Sequence, residues 1–299
     1  MMTPAVLVAG SANLDFVVRA ARIPAPGQTV LGRDFRTFPG GKGANQAVAC
    51  ARAGGVPTQM LLALGDDAQA APLLASLQGA GVTLHLQRAA GMATGCAFIC
   101  VSDDSENAIT VAPGANAALR PDHLPPLAGV GQLLLQLETP LASVLAYAQA
   151  AHRAGVAVTL NAAPAQPLPA ELLAALDLLI VNEGELAAIT GISGDLDAAL
   201  AAVTVPDVIV TLGARGLRAR CGGELIEQPG FAVNVVDTTG AGDTFCGALV
   251  AQRAQGSAWP PALRFAAAAA ALACTRPGAQ SAIPTHDEVL GFLQPPPQR

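Results

Sequence analysis

Short apolar segments alternate with longer segments of helical periodicity along most of the chain. The apolar segments are continuous rather than alternating, which is typical of strands covered on both faces. Alternation of strands and helices predicts a mainly parallel sheet with helices on both sides. The predicted strands are residues 6–9, 60–64, 82–86, 132–137, 156–160, 178–181 and 207–212, and the predicted helices include residues 70–77, 141–154, 184–190, 259–275 and 285–293.

Two regions have a different pattern, in which apolar and polar residues alternate. Residues 16–38 alternate around a Pro-Ala-Pro-Gly segment, and residues 94–101 and 107–111 form two alternating runs joined by an acidic turn. Such alternation predicts strands with only one covered face. We therefore expect a small second sheet, contributed by about residues 14–38 and 94–112. No internal repeat or interdomain linker is visible, so residues 1–299 are predicted to form a single α/β domain.

The composition fits a large core and argues against two kinds of partner. Hydrophobic residues make up 52% of the 299 residues and charged residues 13%, with a net charge of −6. An acidic chain without a Lys/Arg cluster argues against nucleic acid or an anionic membrane as the main partner. The start has no basic segment typical of a signal peptide, and the longest apolar run, residues 265–274, is too short to cross a bilayer. The six cysteines show no C-x-x-C pair, which indicates free thiols in a reducing cytoplasm.

The stretch from Val235 to Leu249 predicts an anion site where a strand passes into a helix. Gly240 and Gly242 let the backbone approach a ligand, and the first amides of a helix lack intrahelical partners and can point at a phosphate. Asp243 is unusual in such a turn. A carboxylate there suits a base that takes a proton from a hydroxyl attacking the phosphate. The ordinary alternative is that Asp237 and Asp243 only stabilise the start of a helix.

A second glycine-rich segment, residues 40–46, precedes a helix of small residues. Lys42 and Asn45 lie in it and are expected to face a polar small molecule. Asn13 and Asp15 follow the first predicted strand, where α/β proteins commonly bind ligands, and they could hold a polyol or simply form an Asx turn. Polar groups follow later strands as well and are expected to line one cleft; they lie at residues 136–138, 161, 182–185 and 211–216.

These motifs resemble those of ribokinases in the PfkB-type carbohydrate kinase family, from Gly10 to about Pro284. Both family signatures are present, at residues 40–46 and 237–243. The Gly-Ser-x-Asn-x-Asp segment near the start and Gln-Leu-Glu at 136–138 are closest to ribokinases. The resemblance implies a three-layer α/β/α fold with a small β-sheet lid, which in ribokinases also forms a homodimer interface.

The resemblance also implies the activity, which is ATP-dependent phosphorylation of D-ribose at O5. Asp243 would be the base, assisted by the backbone amides of Gly240, Ala241 and Gly242. The residues expected to hold the sugar are Asn13, Asp15, Gly41, Lys42, Asn45 and Glu138.

The nucleotide and ion sites are implied in the same way. The residues expected around the nucleotide are Asn182, Thr211, Gly213, Gly216 and Gly242. Glu185, in the Asn-x-x-Glu motif, would support Mg²⁺ through water. The residues expected around a K⁺ ion, several through their carbonyls, are Asp237, Thr239, Ala273, Arg276 and Gly278.

Two positions depart from the family pattern, and two other functions are possible. Ala267 stands where relatives often have His or Asn near the adenine, and Ala282 stands where many have Ser near the cation. The protein could instead phosphorylate a related pentose, deoxyribose, a ketohexose or a nucleoside, or act as a non-catalytic sugar or nucleotide sensor. Asp243 within an intact glycine turn favours catalysis over sensing.

Overall fold

The computed structural model describes residues 3–104 and 106–294. The remaining parts of the predicted 1–299 domain, including residue 105 in the predicted hairpin turn, lie outside the described residues. The model contains two sheets, one of nine strands and one of four.

The nine-stranded sheet forms the centre of the fold. Seven neighbouring strands run parallel, in the spatial order β11-β10-β9-β8-β1-β4-β5, and an antiparallel hairpin, β12 and β13, extends one edge. Its strands are β1 (Ala5–Ala9), β4 (Thr58–Leu64), β5 (Thr83–Arg88), β8 (Val130–Leu135), β9 (Ala157–Asn161), β10 (Leu178–Asn182), β11 (Asp207–Thr211), β12 (Gly216–Cys221) and β13 (Glu224–Pro229).

Nine α-helices occur in the described residues, and those around the sheet cover both of its faces. They are α1 (Lys42–Arg52), α2 (Ala70–Gly79), α3 (Leu141–Arg153), α4 (Ala170–Leu173), α5 (Glu183–Thr190), α6 (Leu196–Ala202), α7 (Ala241–Ala254), α8 (Trp259–Ala273) and α9 (His286–Leu293). None of the helices within the described ranges is long and apolar enough to cross a membrane.

Strands β1, β4, β8, β10 and β11 each contribute side chains to two separate cores. On β1, Val6 and Val8 pack into a core with α1, α2, α7, α8 and α9. The intervening Leu7 and Ala9 pack on the other face with α3, α4, α5 and α6. Burial on both faces explains why these strands are continuously apolar. The predicted three-layer α/β/α architecture is confirmed.

The second sheet has the order β3-β2-β6-β7 and consists of β2 (Asn13–Ala20), β3 (Gly32–Gly40), β6 (Gly95–Val101) and β7 (Asn107–Ala112). These strands match the two regions of alternating polarity. On one face of this sheet, Asp15, Val17 and Arg19 of β2 line a cleft. On the opposite face, Phe16 stacks on Phe98. The small predicted sheet is therefore present.

The sequence analysis missed some elements. The hairpin of β12 and β13 was not predicted, although Leu217, Ala219 and Cys221 are buried and alternate with arginines before the turn at 222–223. Helices α4 and α6 were also missed because they have only four and seven residues, too short for clear periodicity. Strand β8 ends at Leu135 rather than at residue 137, so Gln136 and Glu138 lie beyond its carboxyl end.

Candidate active site

The packing of α1 against α7 joins the two glycine-rich motifs. A side chain at Gly247 of α7 would clash with the backbone of Gln46 and with Ala49, so the absence of a side chain there permits the close approach. As a result Asn45 donates from Nδ2 to Asp243 Oδ2 over 2.9 Å, and Gln46 donates from Nε2 to Asp243 Oδ1, also over 2.9 Å. Asp243 is buried, and both of its carboxylate oxygens are held.

A cavity of about 160 Å³ opens beside Asp243 at the carboxyl ends of β9, β10 and β11. Because parallel strands end at the same sheet edge, residues from distant segments meet there. The predicted site residues that line this cavity are Lys42, Asn182, Glu185, Thr211, Gly240, Gly242 and Asp243. Gly213 and Gly216 flank a 3₁₀ turn after β11 and are not among the lining residues.

The first residues of α7 form the anion-binding end of this cavity. Gly240 is the N-cap residue, with φ of 72°. Within the described residues, the amides of Gly240 and Gly242 make no backbone hydrogen bond, whereas Ala241 donates its N–H to the Thr238 carbonyl over 3.2 Å. Two of the three predicted amides, Gly240 and Gly242, are therefore free to meet a ligand oxygen, and Ala241 first has to release its internal bond.

Asn182 and Glu185 form a reciprocal cap at the start of α5. Asn182 donates its N–H to Glu185 Oε2, and Glu185 donates its N–H to Asn182 Oδ1, each over 2.8 Å. Burial, partly offset by the Asn182 N–H, raises the pKa of Glu185. The motif thus holds a half-buried carboxylate at the cavity wall, and the cap explains the spacing of three residues.

The cavity has more negative than positive side chains. Burial alone lowers the pKa of Lys42, but the surrounding carboxylates, chiefly Asp243 and Glu138, outweigh it and hold the pKa above its ordinary value. Among the residues that the structure describes, Lys42 is the only cationic side chain lining this cavity, against Asp243 and Glu185. A polyphosphate therefore needs a further cation for charge balance.

The donor set fits Mg²⁺ as an ion carried in with a phosphate ligand. Among the residues that the structure describes, no three His, Cys, Asp or Glu side chains cluster as a metal cage. Mg²⁺ commonly keeps several waters and binds through one or two carboxylates plus substrate phosphates. Glu185 at the cavity wall matches that requirement.

Asp15 lies on the sugar side of the predicted site, among other carboxylates. Burial, together with the negative charges of Glu138 and Asp243, raises the pKa of Asp15 to about 7. Glu138 is held in turn, since its Oε2 accepts from Ser11 Oγ over 2.5 Å and from the Lys42 N–H over 3.1 Å. This arrangement concentrates hydrogen-bond acceptors, which suits a ligand rich in hydroxyl groups.

Asn13 is oriented by Asn116, which sequence reasoning did not identify. Asn116 Nδ2 donates to Asn13 Oδ1 over 2.7 Å, while Asn116 Oδ1 accepts the Ala12 N–H over 3.0 Å. Both asparagines are buried. Because its Oδ1 is engaged, Asn13 is left with its NH₂ group to offer a ligand. The only sequence signal was the polar residue in the Pro-Gly-Ala-Asn turn after β7.

A larger cleft of about 570 Å³ separates the second sheet from the turns near residues 237–239 and 277–279. Asp237 connects these turns, since its Oδ1 accepts from Thr239 N–H over 2.9 Å and its Oδ2 accepts from Gly278 N–H over 2.9 Å. Asp237 does not cap α7, contrary to the ordinary alternative for such a residue. Asp15 lines the same cleft.

The predicted cation residues are brought together only in part. Asp237, Thr239 and Gly278 share the cleft, while Ala273 and Arg276 do not line it. The Arg276 guanidinium pairs with Glu288, with Nη2 and Oε1 2.6 Å apart, so only its backbone remains to face an ion. Ala282 is fully buried and Ala267 lies half-buried on α8. Carboxylate and backbone oxygens are the donor types that suit a large monovalent cation.

Comparison with known proteins identifies the family. The pfkB family carbohydrate kinase model matches residues 3–286. The chain is 39% identical over 305 aligned positions to a ribokinase of Haemophilus influenzae, covering 98% of this chain and 99% of the relative. It is 31% identical over 301 positions to a deoxyribokinase of Salmonella typhi, covering 96% and 98%.

A solved structure of similar fold points to the same conclusion. The structure of Arabidopsis thaliana ribokinase complexed with ribose and ATP is 35% identical, with a TM-score of 0.90, and the match covers 98% of this chain and 99% of that one. The family assignment that the two signatures indicated is confirmed, and this chain belongs to the pfkB family of carbohydrate kinases.

Proposed function

We propose that this protein transfers the γ-phosphoryl group of ATP to O5 of D-ribose, giving D-ribose 5-phosphate and ADP. The observation that carries the proposal is the position of Asp243. Its carboxylate is held by Asn45 and Gln46 at the start of α7, beside a cavity with unpaired amides and Lys42. A base next to an anion site is the arrangement that phosphoryl transfer to a hydroxyl needs.

The sugar occupies the space between this cavity and the second sheet. Its O5 hydroxyl faces Asp243, which takes the proton as the oxygen attacks the γ-phosphorus. The other hydroxyls are bound by Asp15, Glu138 and the NH₂ group of Asn13. The residues proposed to complete the sugar site are Gly41, Lys42 and Asn45.

The nucleotide phosphates lie against the start of α7. The amides of Gly240, Ala241 and Gly242 stabilise charge on the phosphoryl group as it is transferred. The residues proposed to border the nucleotide are Asn182, Thr211, Gly213 and Gly216. Glu185 would support a phosphate-bound Mg²⁺ through water, and the ion would supply positive charge to offset that of the phosphate oxygens.

A monovalent cation, K⁺, is proposed at the Asp237 turn. Asp237 links this turn to Gly278 by a hydrogen bond, and backbone oxygens of Thr239, Ala273 and Arg276 would complete the site. The support is that the same turn leads directly into the amides at residues 240–242, where Ala241 donates to the Thr238 carbonyl. An ion there would act by holding the anion site in place rather than by touching a substrate.

The chain is proposed to work as one kinase domain, with the second sheet as a lid and as the interface of a homodimer. Support for the dimer comes from the outer face of that sheet, where Phe16 stacks on Phe98 with ring centroids 5.4 Å apart. Phe35 and Phe98 are 62% and 54% exposed, and large exposed apolar patches mark interaction sites. The six free cysteines support a cytoplasmic location.

A substrate panel tests the proposed activity. ADP formation should be measured by a coupled assay with D-ribose, 2-deoxy-D-ribose, D-fructose and adenosine at equal concentrations. D-ribose is expected to have the highest kcat/KM. A higher value for 2-deoxyribose would reassign the substrate, and the similarity to a deoxyribokinase makes that sugar the most informative competitor.

Asp243→Asn tests the mechanism on the same assay. The amide keeps the size of the side chain but cannot accept the proton, so kcat should fall by about 10²–10⁴ with KM values nearly unchanged. A variant that retains wild-type turnover would remove Asp243 as the base.

A further inference from the structure

Three buried amide side chains connect the carboxylate of Asp243 to the central sheet. Gln46 Nε2 donates to Asp243 Oδ1 over 2.9 Å and to Asn161 Oδ1 over 3.0 Å. Gln136 Nε2 donates to Gln46 Oε1 over 2.6 Å. Asn161 Nδ2 donates to the Ile180 backbone carbonyl over 3.2 Å. The four side chains come from β9, α1, α7 and the segment after β8, and each is at least nine-tenths buried.

The groups at the two ends of this hydrogen-bond network, the Ile180 carbonyl and the Asp243 carboxylate, fix the orientation of each amide between them. The Ile180 carbonyl can only accept, so Asn161 must turn its NH₂ toward it and its Oδ1 toward Gln46. An ionised Asp243 also only accepts. Gln46 therefore has to present its NH₂ to both oxygens, which uses both of its N–H groups. Its Oε1 then faces Gln136, which must present its own NH₂.

Reversing Gln46 would leave the network unsatisfied. Its Oε1 would face the oxygens of Asp243 and Asn161, and its NH₂ would face the NH₂ of Gln136. Unmatched polar groups are costly where water is excluded. Gln136 is itself closely fitted, because a side chain at Gly10 would clash with its Oε1. In the observed orientation all three hydrogen bonds of Gln46 are made, whereas Oε1 of Gln136 is buried without a hydrogen-bond partner among the described residues.

We propose that Gln46 is a positioning residue for the base. Its NH₂ group fixes the rotamer of the Asp243 carboxylate and stabilises the ionised form, while Gln136 and Asn161 lock Gln46 in place. This rests on the proposed function, in which Asp243 is the base. Asn45 holds the other oxygen of Asp243 but also belongs to the proposed sugar site, so Gln46 is the partner whose role is separable from sugar binding.

Gln46→Leu tests the proposal by separating kcat from KM. Without this donor, Asp243 keeps only one of the two hydrogen bonds that orient it, and kcat should fall by about 10- to 100-fold while the KM values for ribose and ATP change by less than about threefold. Gln59→Leu is the control for the same substitution, because Gln59 on β4 is hydrogen-bonded to a side chain, His85 Nε2 over 2.7 Å, but lies away from the cavity. Its kcat should equal that of the wild type.

Gln46→Glu adds a readout that a purely structural role would not change. The side chain has the same size, but its carboxyl lies beside Asp243, and two close carboxyls share a proton at low pH. The acidic limb of the kcat–pH profile should therefore move to higher pH by about one unit or more. The neighbouring charged or titratable groups, unchanged in the variant, are Lys42, Asp15, Glu138, Glu185 and Cys246.

The outcomes separate this inference from the proposed function. Wild-type kcat in Gln46→Leu, or an unshifted acidic limb in Gln46→Glu, would overturn the role of Gln46. If Asp243→Asn is inactive in the same experiment, the assignment of Asp243 as the base still stands. Wild-type turnover in Asp243→Asn would overturn the base itself. If Gln46→Leu does not fold, as judged by its thermal unfolding, the pH profile of Gln46→Glu decides the question.

Discussion

Asn45 and Asp243 are joined by a hydrogen bond of 2.9 Å, although 198 positions separate them in the sequence. The bond connects the first turns of two helices, α1 and α7, each of which begins at a glycine-rich motif. Helix packing thus aligns one motif, which carries the proposed sugar ligands, with the other, which carries the proposed base and anion site. A change in the packing of α1 on α7 is therefore expected to affect catalysis as well as stability.

The ionised carboxylate of Asp15 is predicted to lower the free energy of unfolding at neutral pH, relative to an uncharged side chain. Its pKa is about 7 in the folded protein and about 3.9 in an unfolded chain, so the folded protein binds this proton more tightly. The stabilisation that comes from binding this proton is fully present below about pH 4 and is lost as pH rises through 7. In Asp15→Asn, the free energy of unfolding relative to wild type should increase by about 2 kcal/mol from pH 5 to pH 8.

Urea unfolding at both pH values measures the effect of Asp15→Asn. Asp66→Asn is the control, because Asp66 is exposed and its ion pair with Arg88, at 3.4 Å, is of a kind worth little. A difference that does not grow with pH would show that Asp15 does not carry the raised pKa.

Asn116→Asp is predicted to weaken ribose binding without touching the sugar. The new carboxylate has no N–H to donate, so Asn13 would turn its own NH₂ toward residue 116 and present an oxygen to the sugar instead. The KM for ribose should rise by about tenfold, and the KM for ATP should stay within about twofold. Steady-state kinetics with each substrate varied in turn measures both. An unchanged KM for ribose would mean that Asn116 does not orient a sugar ligand.

Activity is predicted to depend on the identity of the monovalent cation. A large, weakly hydrated ion suits a ring of backbone oxygens, so phosphorylation should be faster in KCl than in NaCl or tetramethylammonium chloride at equal ionic strength. In Asp237→Asn the difference between the salts should shrink, because the charge that attracts the ion is gone. Equal rates of the wild type in all three salts would refute the site, and Ala282 is the departure we would then examine first.

Phe98→Glu is predicted to convert a homodimer to a monomer. The charge would lie at one end of the aromatic cluster of Phe16, Phe35 and Phe98, and an unpaired buried charge opposes association. Light scattering after size exclusion gives the mass. Leu225→Glu is the control, since Leu225 is 62% exposed on β13, away from the lid, and it should leave the mass unchanged. A wild-type protein that is already monomeric would contradict the proposed interface.

Local sequence patterns were sufficient for the architecture and for the positions of the two motifs. Continuous apolar strands with intervening helices indicate a parallel sheet because both faces must be covered, and alternating polarity marked the second sheet because only one face is covered. The start of α7 was predictable because glycines before a helical repeat are local chemistry. The strand predicted to lead into it is wrong, since Val235 and Val236 lie in irregular backbone and are 63% and 60% exposed. The hairpin of β12 and β13 had a local signal too, in its alternation around Gly222 and Gly223.

Only the tertiary structure decided which polar residues work together. Gln46 lies in a motif, yet its partners Gln136 and Asp243 are 90 and 197 positions away, and Asn116 meets Asn13 across 103 positions. The raised pKa of Asp15 likewise depends on burial and on the neighbouring charges of Glu138 and Asp243. Hydrogen bonds and desolvation act over a few ångströms in space, so the sequence determined the types of groups available, and the packing of α1, α7 and the strand ends determined their partners and their charge.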